Sequence, residues 1–98
     1  MNIFLSQPMN GRPTAEIQAE RELIATKYGP DAVLLPTLFT QEQFKHPLEF
    51  LGAAIQIMAG ADLVVFAPGW EEARGCRIEH EIAAAYELNI EYIIEIEN

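Results

Sequence analysis

Glu79 and the residues within a helical turn of it are the part of this 98-residue chain best equipped for chemistry. In Gly75-Cys76-Arg77-Ile78-Glu79-His80-Glu81-Ile82, the apolar residues Ile78, Ile82, Ala85 and Leu88 recur at helical spacing and define a stripe that packs on a core. Glu79 falls at the edge of that stripe beside Ala83 and Tyr86, whereas Glu81 and Glu87 fit the solvated side better. Near a helix start, the macrodipole and unpaired amides keep a carboxylate ionised, and an ionised carboxylate can attack or stabilise an electron-poor sugar carbon. The competing reading is a surface or capping glutamate.

Other groups gather around the same two loops. Ser6 and Asn10-Gly11 offer a hydroxyl, a side-chain amide and close-approach backbone, which suit sugar hydroxyls or phosphate; taken alone, the segment is a turn. Arg12, Arg74 and Arg77 are three of only six positive charges. They form either a local positive pocket for a small anion such as a nucleotide phosphate or ordinary surface charge. Cys76, beside Gly75 and between Arg74 and Arg77, sits where a thiol pKa would be lowered, yet neither His46 nor His80 is evidently its base, and small buried cysteines are common. Cys76 and His80 have a spacing that can share a metal on one helix face, but one pair lacks the further ligands a site needs, so no metal and no cofactor is expected. Trp70, in a loop, is best explained by a ligand or a subunit contact; Phe66 and Tyr86 can stack on a base but serve equally as core.

The elements that position these groups follow from the apolar pattern. Asn2 to Ser6 reads as a strand, stopped by Gln7-Pro8-Met9-Asn10-Gly11-Arg12-Pro13. Thr14 can cap a helix over Ala15 to Tyr28 that buries Ile17, Leu23 and Ile24 and leaves Glu16, Glu20, Arg21 and Lys27 solvated. Ala32 to Leu35 is a second strand. Residues Thr37 to His46 are polar and are expected to form a connecting loop able to cover the site. Pro47 opens a helix to about Ala59 that buries Phe50, Leu51, Ala54, Ile55 and Met58, with Gly60 as its stop. Asp62 to Ala67 is a short β-branched run typical of a strand covered on both faces, and Pro68-Gly69 ends it. The Glu79 helix follows, closed by Asn89, and Tyr92-Ile93-Ile94 is the last strand.

Strands alternating with helices imply a single α/β domain over 1–98: a small flavodoxin-like or Rossmann-like three-layer sandwich with a mainly parallel sheet of four to five strands. Right-handed crossovers favour strand order 2-1-3-4, which sets the loops after strands one and three side by side at the switch point. Ser6 to Arg12 and Pro68 to Glu79 are therefore expected to build one pocket. A net charge of −9 argues against a polymeric nucleic-acid partner, whose backbone requires a basic stripe. No apolar run approaches the roughly 18 residues that span a bilayer, and Met1 to Leu5 is too brief for a signal peptide, so a cytoplasmic protein without a membrane partner is expected. The lone Cys76 excludes an intrachain disulfide.

Three segments in order, Phe4-Leu5-Ser6-Gln7-Pro8-Met9-Asn10-Gly11, Ala61-Asp62-Leu63-Val64-Val65 and Gly75-Cys76-Arg77-Ile78-Glu79-His80-Glu81-Ile82-Ala83, resemble the nucleoside 2-deoxyribosyltransferase-like superfamily, above all its short, often phage-encoded members. The resemblance implies a flavodoxin-like fold, at least a homodimer, and a nucleoside or nucleoside monophosphate as ligand. It implies that Glu79 attacks the anomeric carbon to form a glycosyl ester, that Ser6, Pro8, Met9, Asn10 and Gly11 hold sugar or phosphate, and that Gly75 precedes the catalytic helix. Related N-glycoside hydrolases use the same glutamate with water as acceptor. The transferases carry an aspartate just after strand three, where this chain has Pro68-Gly69, and Asp-x-Gly-Thr before the helix, where it has Ala73-Arg74-Gly75-Cys76. Glu71 or Glu72, in the same loop, is the expected stand-in acid; Arg12, Arg74 and Arg77 are expected on phosphate, with Trp70 near the base and Gly69 and Cys76 among the residues that bind the ligand. The rival expectation is a protein that binds a nucleotide, or a nucleotide-derived signal, without cleaving it. A third is a structural or protein-binding dimer in which Glu79 is simply a surface charge.

Overall fold

A computed structural model describes residues 1–37 and 45–95. The order is β1 (Asn2–Ser6), α1 (Thr14–Tyr28), β2 (Val33–Leu34), α2 (Pro47–Met58), β3 (Leu63–Phe66), a 3₁₀ turn (Trp70–Glu72), α3 (Arg74–Ala85) and β4 (Ile90–Tyr92). The four strands form one sheet in the order β2-β1-β3-β4, parallel at every pairing, so the expected flavodoxin-like topology is present.

Two cores lie on opposite faces of this sheet, because successive strand residues point to opposite sides. Ile3, Leu5, Leu63, Val65, Ala67 and Ile93 pack with Ile24 of α1, and Tyr28 closes their edge. Phe4, Val64 and Phe66 pack with Ala54 and Met58 of α2 and Ala83 of α3. Central strands buried on both sides explain the unbroken apolar runs of β1 and β3.

Several local expectations are corrected. Thr14 does not cap α1: Pro13 occupies the cap position without a side-chain bond, and Thr14 is already helical. Leu23 is exposed, while Arg21 is buried at 7% exposure. The helix presents Ile17, Arg21 and Ile24 inward, a stripe whose middle member is charged because polar acceptors await it. Helix α3 ends at Ala85, before Leu88, because Glu87 turns left-handed (φ 57°). The amides of Glu87 and Leu88 then return to the carbonyls of Ala84 and Ala83, a Schellman closure that folds Leu88 onto the core. That early stop lets β4 begin at Ile90, two residues before its expected start, in register with Val64. The loop expected over Thr37 to His46 lies mostly outside the described residues; Thr37 is buried, and the His46 ring accepts from the Leu48 amide to cap α2.

Candidate functional site

Parallel pairing carries β1 and β3 to a common end. Ser6 lies opposite Phe66, and the Ala67 amide donates to the Ser6 carbonyl at 2.9 Å, so both chains leave the sheet together. Their loops then touch: a Cβ built on Gly69 would stand 3.7 Å from Pro8 Cγ. Gly69 adopts φ 84°, a conformation that only glycine takes without strain, and it reverses the chain into the 3₁₀ turn that delivers α3. The two loops expected to converge are thus in contact.

Into this junction α3 lowers Glu79. The Ser6 hydroxyl, on a residue 2% exposed, donates to Glu79 Oε1 at 2.6 Å. Burial pushes the Glu79 carboxyl above the usual carboxylate range, and the Ser6 hydrogen bond opposes that shift. The expectation that the helix macrodipole keeps this group ionised is corrected: Glu79 is past the first turn, where the dipole fades, and desolvation dominates. Cys76, one turn earlier and 4% exposed, is corrected likewise. Burial pushes its thiol up to about 11, with a smaller opposing pull from Ser6 and further raising by the charges of Glu79 and Glu20, so it is not an activated nucleophile. Among the described residues no cluster of metal-binding side chains occurs.

The arginines behave differently from one another. Arg12 donates to Glu16 Oε1 (2.9 Å), to both Glu20 oxygens (3.2 Å each) and to the Pro8 carbonyl (2.6 Å). Its charge is met inside the chain, and it braces the Pro8–Arg12 loop against α1, with the Arg12 amide closing onto the Met9 carbonyl at 3.1 Å. Glu20 also accepts from Gln7 Nε2 (2.8 Å), whose carbonyl oxygen accepts from buried Arg21 (3.3 Å). Arg21 continues to Thr37 Oγ1 and the Leu35 carbonyl, linking the ends of β1 and β2. Arg74 and Arg77 are exposed, and Arg77 donates to the Glu71 carbonyl at 3.1 Å. Asn10, Gly11, Gly75, Glu71 and Glu72 are exposed at the rim, while Pro8 and Met9 are partly buried.

Sequence reasoning passed over His80 and Tyr92 as a pair. Ser6, Phe66 and Tyr92 form one row across three adjacent strands, and α3 lies above that row. Glu79 reaches Ser6; the next residue, His80, brings Nε2 to 2.6 Å from the Tyr92 hydroxyl. The His80 ring stacks on Trp70 with centroids 4.4 Å apart and meets Phe66 edge-on at 5.0 Å. Trp70 and Tyr92 line an open groove with Pro68, Gly69, Glu71 and Ile94. No sequence signal reveals this pairing, because it depends on where β4 starts.

The model of one protein family, described as a domain of unknown function (DUF4406), matches residues 1–92. No curated protein and no solved structure matches the chain.

Proposed function

We propose, for a chain that belongs to the DUF4406 family, that it takes a nucleoside or nucleoside monophosphate at the junction of the β1 and β3 loops and breaks or exchanges its N-glycosidic bond. The observation that carries this reading is the 2.6 Å hydrogen bond from Ser6 to Glu79 Oε1, at the strand ends where open parallel sheets bind ligands. The resemblance of the Ser6–Gly11 and Gly75–Ala83 segments to nucleoside 2-deoxyribosyltransferase-like proteins points the same way.

Ser6 occupies one lone pair of Oε1 and leaves the second carboxylate oxygen to face the sugar. In this reading the ionised Glu79 attacks the anomeric carbon as the base departs, giving a glycosyl ester that water or a second base then resolves. Burial leaves the carboxylate poorly solvated and therefore more nucleophilic when ionised, while the Ser6 hydrogen bond favours the ionised form against that burial. Asn10 and the backbone around Gly11 serve the sugar or phosphate, Arg74 and Arg77 supply positive charge at the rim, and Trp70 serves the base. Arg12 acts by shaping the loop, since its donors are already engaged.

The second reading is a nucleotide-binding protein, of a phage-type sequestering or regulatory kind, that does not cleave its ligand. Pro68-Gly69 in place of a carboxylate and the exposure of Glu71 and Glu72 favour it. In both readings the protein is cytoplasmic, and exposed Tyr86 and Ile94 support self-association. Incubation with a panel of 2′-deoxynucleosides and their monophosphates, followed by chromatography for free base, separates the two. Base release abolished by Glu79→Ala establishes the enzyme; a thermal shift without turnover selects the binding protein.

A further inference from the structure

The N-glycosidic reading requires a proton source for the departing base. Tyr92, His80 and Trp70 make a stacked aromatic group at the ends of β3 and β4, with ring centroids 4.4 to 5.7 Å apart. His80 Nε2 and the Tyr92 hydroxyl lie 2.6 Å apart, and the Tyr92 ring is half exposed along the groove that begins at Gly69. Ser6 and Tyr92 are two strands apart in a single row, which at about 4.8 Å per strand separates their backbones by about 10 Å. Adjacent helix residues thus serve the two ends of that row, Glu79 at Ser6 and His80 at Tyr92. Buried Phe66 fills the row between Ser6 and Tyr92, so a nucleoside with its anomeric carbon at Glu79 would reach Tyr92 by passing its base over Gly69, which adjoins Pro8 and lines the groove.

We propose that Tyr92 is the catalytic acid for the leaving base and that His80 is the residue that positions it; this rests on the N-glycosidic reading above. With Nε2 protonated, His80 donates to the Tyr92 oxygen, which frees the phenol proton to point into the groove. As the bond from the anomeric carbon to the base nitrogen breaks, its electron pair goes to the base and the Tyr92 proton follows, while a Glu79 oxygen bonds to the anomeric carbon. The His80 N–H stabilises the phenolate that remains. Water then attacks the anomeric carbon, the ester electron pair returns to Glu79, and the water proton restores Tyr92. Exposed Glu71, which also lines the groove, offers its carboxylate to amino groups of the base rather than a proton to its ring.

The test compares leaving groups. Wild type, Tyr92→Phe, His80→Gln and Glu79→Gln are assayed on 2′-deoxynucleosides and on 4-nitrophenyl 2-deoxyriboside, whose leaving group departs without protonation. Tyr92→Phe is expected to lose about 10²- to 10⁴-fold in kcat on nucleosides and less than about threefold on the nitrophenyl substrate. His80→Gln should show the same selectivity with a smaller loss, because an amide N–H can replace the imidazole donor. Equal losses on both substrates, or no loss on either, would overturn the assignment. Failure of the parent reading looks different: wild type would then release neither base nor nitrophenol, or Glu79→Gln would leave both activities intact, and the assignment falls with it.

Discussion

The Ser6 hydroxyl donates to Glu79 Oε1 at 2.6 Å across 73 residues of sequence. Burial and this one bond pull the carboxyl in opposite directions, with burial the stronger. Ser6→Ala removes the opposing hydrogen bond, so the Glu79 pKa should rise further. Because the ionised form reacts, the acidic limb of the pH profile for base release should move to higher pH in the variant. A limb that stays in place, or moves down, would show that Ser6 does not tune Glu79.

The same shift makes a stability prediction. With its folded pKa raised above the unfolded value, Glu79 holds more proton in the native state between the two values, so stability falls as pH rises through that window. Below both values the contribution is complete; above both, a constant cost remains. Glu79→Gln removes the cost, so its Tm should exceed that of wild type at pH 7, and the gap should narrow as pH is lowered through the carboxylate range. Differential scanning fluorimetry across pH 4 to 8 reads this directly, and a gap that widens toward low pH would reverse the sign assigned here.

Arg21 is buried with three neutral acceptors, Gln7, Thr37 and the Leu35 carbonyl. Arg21→Ala strands those groups and should destabilise by on the order of 3 kcal/mol in urea unfolding. Lysine should rescue little, since a single ammonium lacks the planar fork that reaches all three acceptors. Near-normal stability of either variant would mean the network is dispensable.

Cys76, with its thiol pushed up to about 11, should react slowly with a disulfide reagent at pH 8 and fast once urea unfolds the chain. Rapid labelling of the native protein would contradict the buried placement.

Two glycines should respond in opposite directions. Gly69→Ala forces a left-handed residue and should cost about 1 kcal/mol. Gly52→Ala, in the exposed interior of α2 with no atom within 4 Å of the added carbon, should stabilise by roughly 0.5–1 kcal/mol. Equal effects from chemical denaturation would refute the conformational argument.

The amino-acid sequence by itself determined the alternation of strands and helices, the parallel sheet, its 2-1-3-4 order and the convergence of the first and third loops. These follow from apolar periodicity, Gly and Pro punctuation and the handedness of crossovers, all of which are local or topological. It also singled out Glu79, because an acid at the edge of an apolar stripe is visible in spacing alone. Only the tertiary structure decided which partners each polar group meets. Burial of Arg21, the raised thiol of Cys76 and the His80–Tyr92 bond depend on side chains brought together from separate segments, and the engagement of Arg12 by Glu16 and Glu20, though close in sequence, depends on how the loop meets α1. The left-handed Glu87 is the sharpest case: it shortens α3 and brings β4 forward, and that shift sets Tyr92 opposite Phe66, within reach of His80. Pair energies of this kind arise from desolvation and geometry across the fold, and neither is written in the order of neighbouring residues.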